Sequence, residues 1–257
     1  MVKLSVALPM YNSDKIAWLA FEGLCRQKGI DFEWELLIAE EMIDNSFGSE
    51  RIKAYAKRLE EVGCKRIEYI GLSKWEPLSE KWHRLAQMVS ETSIGFLPQA
   101  ADCYDYPYRL VESHELFSMG ADWVQARQGI FYDILSGDHA MFYEKNITTN
   151  HPCSLNMAIS TSILHKIPRG DNIKSSVDYW LFKQTDPMIV ELLYGRCLLE
   201  GFDSNGFNNI SKARAKKITM RIRPFKEYEW DMRKYIPGDI VDRLEEMTIT
   251  GEENASE

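Results

Sequence analysis

The side chains that could do chemistry in this chain are acidic and aromatic. Tyr11 and Asn12 follow a short apolar run, Glu40 and Glu41 close a second, and the stretch from Pro98 to Asp105 closes a third. Asp178 stands alone at the start of a segment with helical character, a position where Asp serves well as an N-cap. No GxGxxG follows the first apolar run and no GxxxxGK[ST] occurs, so dinucleotide and P-loop phosphate cradles lose their main support. HExxH and GxSxG are absent too, which removes the commonest zinc-protease and serine-hydrolase signals. His83, His114, His139, His151 and His165 show no metal-ligand spacing. Cys25, Cys64, Cys103, Cys153 and Cys197 are odd in number with no CxxC pair, a pattern of reduced thiols rather than a disulfide frame.

Positioning these groups falls to an alternating pattern over the first 125 residues. Segments at 3–9, 33–39, 66–70 and 94–97 read as strands. Amphipathic or apolar-periodic segments at 14–28, 49–62, 78–89 and 107–119 read as helices. Ser49 is the expected N-cap of the second, with Gly63 as its terminator. Strand and helix in this rhythm imply right-handed crossovers and a mainly parallel sheet. In such sheets ligands collect at the carboxyl ends of the strands, which is where Tyr11, Asn12, Glu40, Glu41, Ala101, Asp102 and Asp105 fall.

Past residue 120 the rhythm breaks. Residues 123–127, 129–132, 138–143 and 155–160 read as strands or short apolar pieces, whereas 177–183 and 187–199 read as helices. Residues 203–209 (DSNGFNN) are turn-rich and precede a basic stretch, Lys212 to Lys234, with nine Lys or Arg against three Asp or Glu. Three readings of that stretch stay open: a solvated amphipathic helix, a clamp for phosphate, and a surface for a polyanion.

Composition sets the outer limits. The chain has 257 residues, 45% apolar and 27% charged, with a formal net charge of −8. That is a globular composition with room for a large core. The acidic balance disfavours uniform attraction to nucleic acid or anionic membrane. The apolar run Leu4 to Met10 is far short of the ~20 residues a membrane helix needs, and no signal peptide is evident. A cytoplasmic protein without a transmembrane segment is expected.

The order of these pieces carries a resemblance. Ser5-Val-Ala-Leu-Pro-Met-Tyr-Asn12 resembles the first strand of family 2 glycosyltransferases ("SVVIPTYN"), and Leu36 to Glu41 (LLIAEE) resembles their "IIVDD" strand. Ser93 to Leu110 sits where the family has "YIAFLDSDDYWLPNKL", and Ser176 to Leu181 (SVDYWL) resembles "EDYDLWL". The resemblance spans roughly residues 3 to 185 and implies an α/β, GT-A-like fold: a mainly parallel sheet flanked by helices, with a smaller mixed C-terminal part. It implies a glycosyltransferase domain over 1–203, with a nucleotide-sugar half (1–120) and an acceptor half (121–203). A basic extension (204–250) and a frayed tail (251–257) would follow.

Such enzymes transfer a sugar from a nucleotide-sugar donor to an acceptor hydroxyl, usually with inversion. By resemblance, Pro9, Tyr11, Asn12, Glu40, Glu41, Arg84, Ala101 and Asp102 would bind the nucleotide sugar, a UDP-sugar in the first instance. Arg84 matches a basic position near the donor, while Lys81 reads as surface. Asp178 would be the catalytic base, or, in another register, a neighbour of Ser176 in that role. The metal motif departs from the family pattern, because its two acids fall on Pro98 and Ala100. Asp102 is the surviving ligand candidate for Mn²⁺ or Mg²⁺, with Asp105 next; metal-independent transfer and a non-catalytic nucleotide-sugar-binding module are the alternatives. Trp123, Trp180, Tyr104, Tyr106 and Tyr132 are candidates for a stacking platform. The acceptor (glycan, lipid, protein or modified nucleic acid) and homo-oligomerisation stay open.

Overall fold

The first strand, β1 (Val2–Met10), and the second, β2 (Glu33–Glu41), are near-continuous apolar runs, the pattern of parallel strands covered on both faces. They pair in parallel, with Met10 opposite Glu40. β3 (Cys64–Leu72) adds to the outer edge of β2, and β4 (Gly95–Pro98) lies on the other side of β1, also in parallel. Helices α1 (Trp18–Cys25), α2 (Ser49–Glu61) and α3 (Leu78–Ala86) make the crossovers. The computed structural model describes residues 1–126, 128–133, 139–143, 157–167, 177–185, 189–192, 197–200, 222–224 and 232–254.

β5 (Cys103–Tyr104) and α4 (Arg109–Ser118) lead to β6 (Trp123–Ala126), β7 (Gln128–Asp133) and β8 (His139–Tyr143). After them come β9 (Ala158–Ser160), a 3₁₀ turn (Thr161–Lys166) and α5 (Val177–Thr185). The chain ends with β10 (Ile189–Leu192), β11 (Cys197–Glu200), β12 (Ile222–Pro224), a 3₁₀ turn (Met232–Lys234) and α6 (Gly238–Asn254). The main sheet has the order β10-β6-β9-β4-β1-β2-β3, antiparallel only where β9 meets its two neighbours. A smaller sheet has the order β12-β8-β7-β11-β5. The α/β expectation holds, and the main sheet continues past residue 120 because β9 inserts between β4 and β6.

Alternation along the strands builds two cores. Leu4, Val6, Leu8, Leu36 and Ile38 face one side, with α1, α2 and α6. Ala7, Leu37, Ala39 and Phe96 face the other, with α3, the first 3₁₀ turn and α5. The C-terminal segment belongs to the first core through Met232, Ile236, Ile240, Val241 and Leu244. There Arg26 pairs with Asp239, and the Arg243 guanidinium lies 3.8 Å above the Trp18 ring centre.

Four expectations need correction. Residues 189–192 and 197–200 are strands, not one helix: short apolar runs rich in Ile and Val do not separate the two states by periodicity. Residues 222–224 are a strand paired with β8, so the basic stretch is not helical there. The N-cap of α2 is Gly48, at φ +81°, with Ser49 inside the helix. The last helix runs to Asn254, into the segment expected to fray. The turn-rich 203–209 segment and most of 212–234 lie outside the described residues.

Candidate functional site

The parallel register places the exits of β4, β1 and β2 side by side. Pro98 is level with Ala7, and the Gln99 N–H donates to the Ala7 carbonyl at 2.8 Å. Pro9, next to last in β1, lies opposite Ala39, Tyr11 projects with 36% of its surface exposed, and Asn12 turns the chain at φ +49°. Asn tolerates that left-handed conformation better than most residues. Pro9, Tyr11, Asn12, Glu40, Glu41, Ala101 and Asp102 therefore share one rim, as the topology requires.

Glu40 and Glu41 leave the sheet on opposite faces, because successive side chains in a strand alternate. Glu40 turns toward α2. Its carboxylate accepts from the backbone N–H groups of Phe47 and Gly48, from the Tyr69 hydroxyl at 3.0 Å and from Ser13. Burial, with the Glu40 charge second, pushes the Tyr69 phenol well above its usual range. Glu40 thus anchors the loop entering α2. Both glutamates are buried and bound within the protein, rather than lining one pocket together.

Glu41 turns toward α3, where Lys81 Nζ donates to its Oε2 at 2.6 Å and to the Met10 carbonyl at 2.8 Å. The Glu76 N–H donates to Oε1 at 3.2 Å. Burial lowers the Lys81 ammonium below its usual range, against the pull of Glu41. The Tyr11 ring centre lies 5.6 Å from Nζ. The expected order of the two α3 cations is therefore reversed. Lys81 is interior, whereas Arg84 is about half exposed and forked onto Glu76 at 2.7 and 2.8 Å. The missed signal was the spacing of Lys81 with Trp82 and Leu85, which share the buried face of α3.

At the β4 exit, Ala101 and Asp102 are half-buried, and the Cys103 thiol reaches Asp102 Oδ1 at 3.5 Å. Asp105, the second metal candidate, is fully buried and ion-paired with Arg109. Arg109, also fully buried, donates to Gln99 Oε1, to the Pro98 carbonyl at 2.9 Å and to the Met157 carbonyl at 3.1 Å. Sequence reasoning missed both Arg109, which falls inside the 107–119 helical segment, and Gln99. Among the described residues no group of three His, Cys, Asp or Glu is gathered to hold a metal ion. Asp105 is taken up by Arg109 as a buried structural carboxylate and Asp102 meets the Cys103 thiol, so the described residues do not by themselves gather a ligand set for a divalent cation.

Asp178 lies in the first turn of α5. At 100° per residue its direction falls between those of Leu181 and Phe182, both buried against Ala7, Ala39 and Phe96. Asp178 is thus on the sheet-facing arc, on the same side of the sheet as Lys81 and Glu41. Trp180 points the other way and is 47% exposed. Trp123, Tyr104 and Tyr132 are core residues, and Tyr106 bonds Glu112, so the described aromatics do not make the expected platform.

No protein-family model and no curated protein matches the sequence. Solved structures do match. A crystal structure of S. aureus TarS residues 1–349 with UDP superposes at a TM-score of 0.60 and 15% identity, covering 77% of this chain and 60% of that one. The complex of TarS 1–349 with UDP-GlcNAc gives 0.59 at 12% identity, covering 96% and 72%. A further TarS structure gives 0.59 at 14% identity, where this chain spans 37% of the other. The fold is GT-A-like.

In this GT-A-like frame the rim offers a part-exposed aromatic ring over a buried cation, a left-handed turn at Asn12, and one carboxylate at the β4 exit. A carboxylate on α5 is carried by the same sheet face. Among the described residues no helix is long and apolar enough to cross a membrane.

Proposed function

We propose that the chain binds a UDP-sugar at the rim of β4, β1 and β2 and transfers the sugar, with inversion, to an acceptor hydroxyl. One observation carries the reading. The parallel exits of β1, β2 and β4 lie side by side with Tyr11 and Asn12 leaving β1, the Lys81 ammonium 5.6 Å from the Tyr11 ring centre, and α3 and Asp178-bearing α5 packed on one face of the sheet. The GT-A-like fold and its likeness to TarS structures that hold UDP and UDP-GlcNAc support it further.

In the proposed reaction the acceptor oxygen forms a bond to the anomeric carbon while the bond from that carbon to the diphosphate oxygen breaks. Asp178, in the first turn of α5, takes the acceptor proton as the new bond forms, the work of a general base. The nucleoside diphosphate leaves with the electron pair. Lys81, and Arg84 one ion pair further out, are the cations at the β1–β2 corner of the rim. Holding donor and acceptor in line supplies much of the rate.

The test pairs binding with turnover. Isothermal titration should give saturable binding of one UDP-sugar. Asp178→Asn should keep that binding and lower transfer by about 10²–10⁴-fold, the usual share of general-base catalysis. Full activity in the variant removes Asp178 from the base role. Binding with no transfer or hydrolysis across a broad acceptor panel would favour a non-catalytic nucleotide-sugar-binding module, the reading to which the internally bound Glu40, Glu41 and Asp105 lend weight.

A further inference from the structure

The β4 exit is organised from within. The loop from Pro98 to Asp105 closes around one buried side chain, that of Arg109. Its guanidinium reaches the Pro98 carbonyl, Gln99 Oε1, Asp105 Oδ2 and, across the sheet, the Met157 carbonyl just before β9. Gln99 passes the constraint on, since its Nε2 donates to the Ala100 carbonyl at 3.1 Å and the Cys103 carbonyl at 2.9 Å. Gly23 of α1 lies against the same turn, so closely that a Cβ there would stand 2.5 Å from Asp105 N. Pro98, Gln99 and Asp105 are thus tied directly to a fixed positive charge, and Ala100 and Cys103 are tied to it through Gln99.

We infer that Arg109 is a positioning residue that holds the 98–105 loop as a bound cation would, so that this rim takes a nucleoside diphosphate without a divalent ion. The inference rests on the nucleotide reading above. Three features support it. Hard divalent cations gather several oxygen ligands, and carboxylates usually head the set. Here positions 98, 100 and 101 are Pro, Ala and Ala, and the buried Asp105 carboxylate is matched to the guanidinium. A divalent ion entering beside a buried guanidinium would meet like charge in a low-dielectric setting, where repulsion is strongest. Arg, with its rigid planar fork, makes four such bonds at once, which Lys cannot.

Two measurements on the whole chain test this. In isothermal titration, UDP affinity in EDTA and in MnCl₂ should agree within about twofold; tightening by Mn²⁺ of about tenfold or more overturns the inference. Hydrogen exchange of peptides spanning 98–109 without nucleotide should be the same in EDTA and in MnCl₂; added protection by Mn²⁺ overturns it as well. Absence of UDP binding in both buffers would instead sink the nucleotide reading, while the exchange experiment still decides how the loop is held. Arg109→Lys should speed exchange across 99–105 and weaken UDP binding by about tenfold or more in either buffer. Unchanged exchange and affinity in that variant would refute the positioning role. If Arg109→Lys fails to fold, Gln99→Ala, which removes one of the four ties, should show the same changes to a smaller degree, and no change there refutes the role equally.

Discussion

Lys81 and Glu41 form a buried ion pair, 5% and 1% exposed at the side chain, at the corner of the rim. Replacing Lys81 with Met removes the 2.6 Å contact to Glu41 and the 2.8 Å bond to the Met10 carbonyl. Among the described residues, Glu41 then keeps the Glu76 N–H at 3.2 Å. A charge left alone in the interior is costly: breaking such a pair from one side typically destabilises by about 3–5 kcal/mol. Set against the ~5–15 kcal/mol stability of ordinary domains, Lys81→Met should be folded but marginal at neutral pH. Replacing both partners, as Lys81→Met with Glu41→Leu, removes the stranded charge and should recover most of the loss, because a buried pair and a well-packed apolar substitute are often near parity. Urea unfolding of the wild type, the two single variants and the double variant gives the coupling directly. A Lys81→Met variant within about 1 kcal/mol of wild type, below the range for a buried pair, would refute the burial argument. UDP titration of the double variant then separates support from recognition: lost affinity in a stable protein assigns the cation to the ligand, and retained affinity assigns it to the fold.

Two further outcomes follow from the packing and charge of the α1 side. Gly23→Ala should destabilise by about 1–3 kcal/mol, as overpacking does, because the added methyl meets the Asp105 backbone rather than a movable side chain; a melting temperature equal to wild type would contradict that approach. Glu22 is held below its usual 4.5, chiefly by hydrogen bonds from Arg58, against burial, with Arg26 assisting. Asp239 is held below its usual 3.8, chiefly by Arg26. A carboxylate depressed in the folded state contributes stability that is full above its unfolded value and fades as pH falls through the folded one. Stability and the hydrogen-exchange protection of residues 240–247 should therefore be level above pH 4.5 and decline below it; a Glu22→Gln variant with the same acid profile as wild type would remove Glu22 from the cause.

The first half of the fold was legible because its signals were redundant. β1, β2 and β4 are largely apolar runs and β3 alternates polar and apolar residues, and each helix between them has a glycine or a charged face to mark it. Glu40 and Glu41 were legible as residues of the β2 exit, yet their roles were not, since period-two alternation sends one to α2 and the other to Lys81. Arg109 was invisible for a different reason. Its partners Pro98, Gln99, Asp105 and Met157 are up to 48 residues away, and two of its bonds go to backbone carbonyls that carry no side-chain signature. The strands at 189–192 and 197–200 were misread because their pairing partners, β6 and β7, decide their state. Asp178 gained a place only once α5 had a face, while Ser176, the other register, lies outside the described residues.

Hydrogen exchange with and without saturating UDP addresses the central claim most directly. The account predicts new protection in peptides covering residues 9–13, 73–81 and 98–105, the segments that meet at the β4, β1 and β2 exits. Protection confined to α1, α2 and α6, on the opposite face of the sheet, would contradict it.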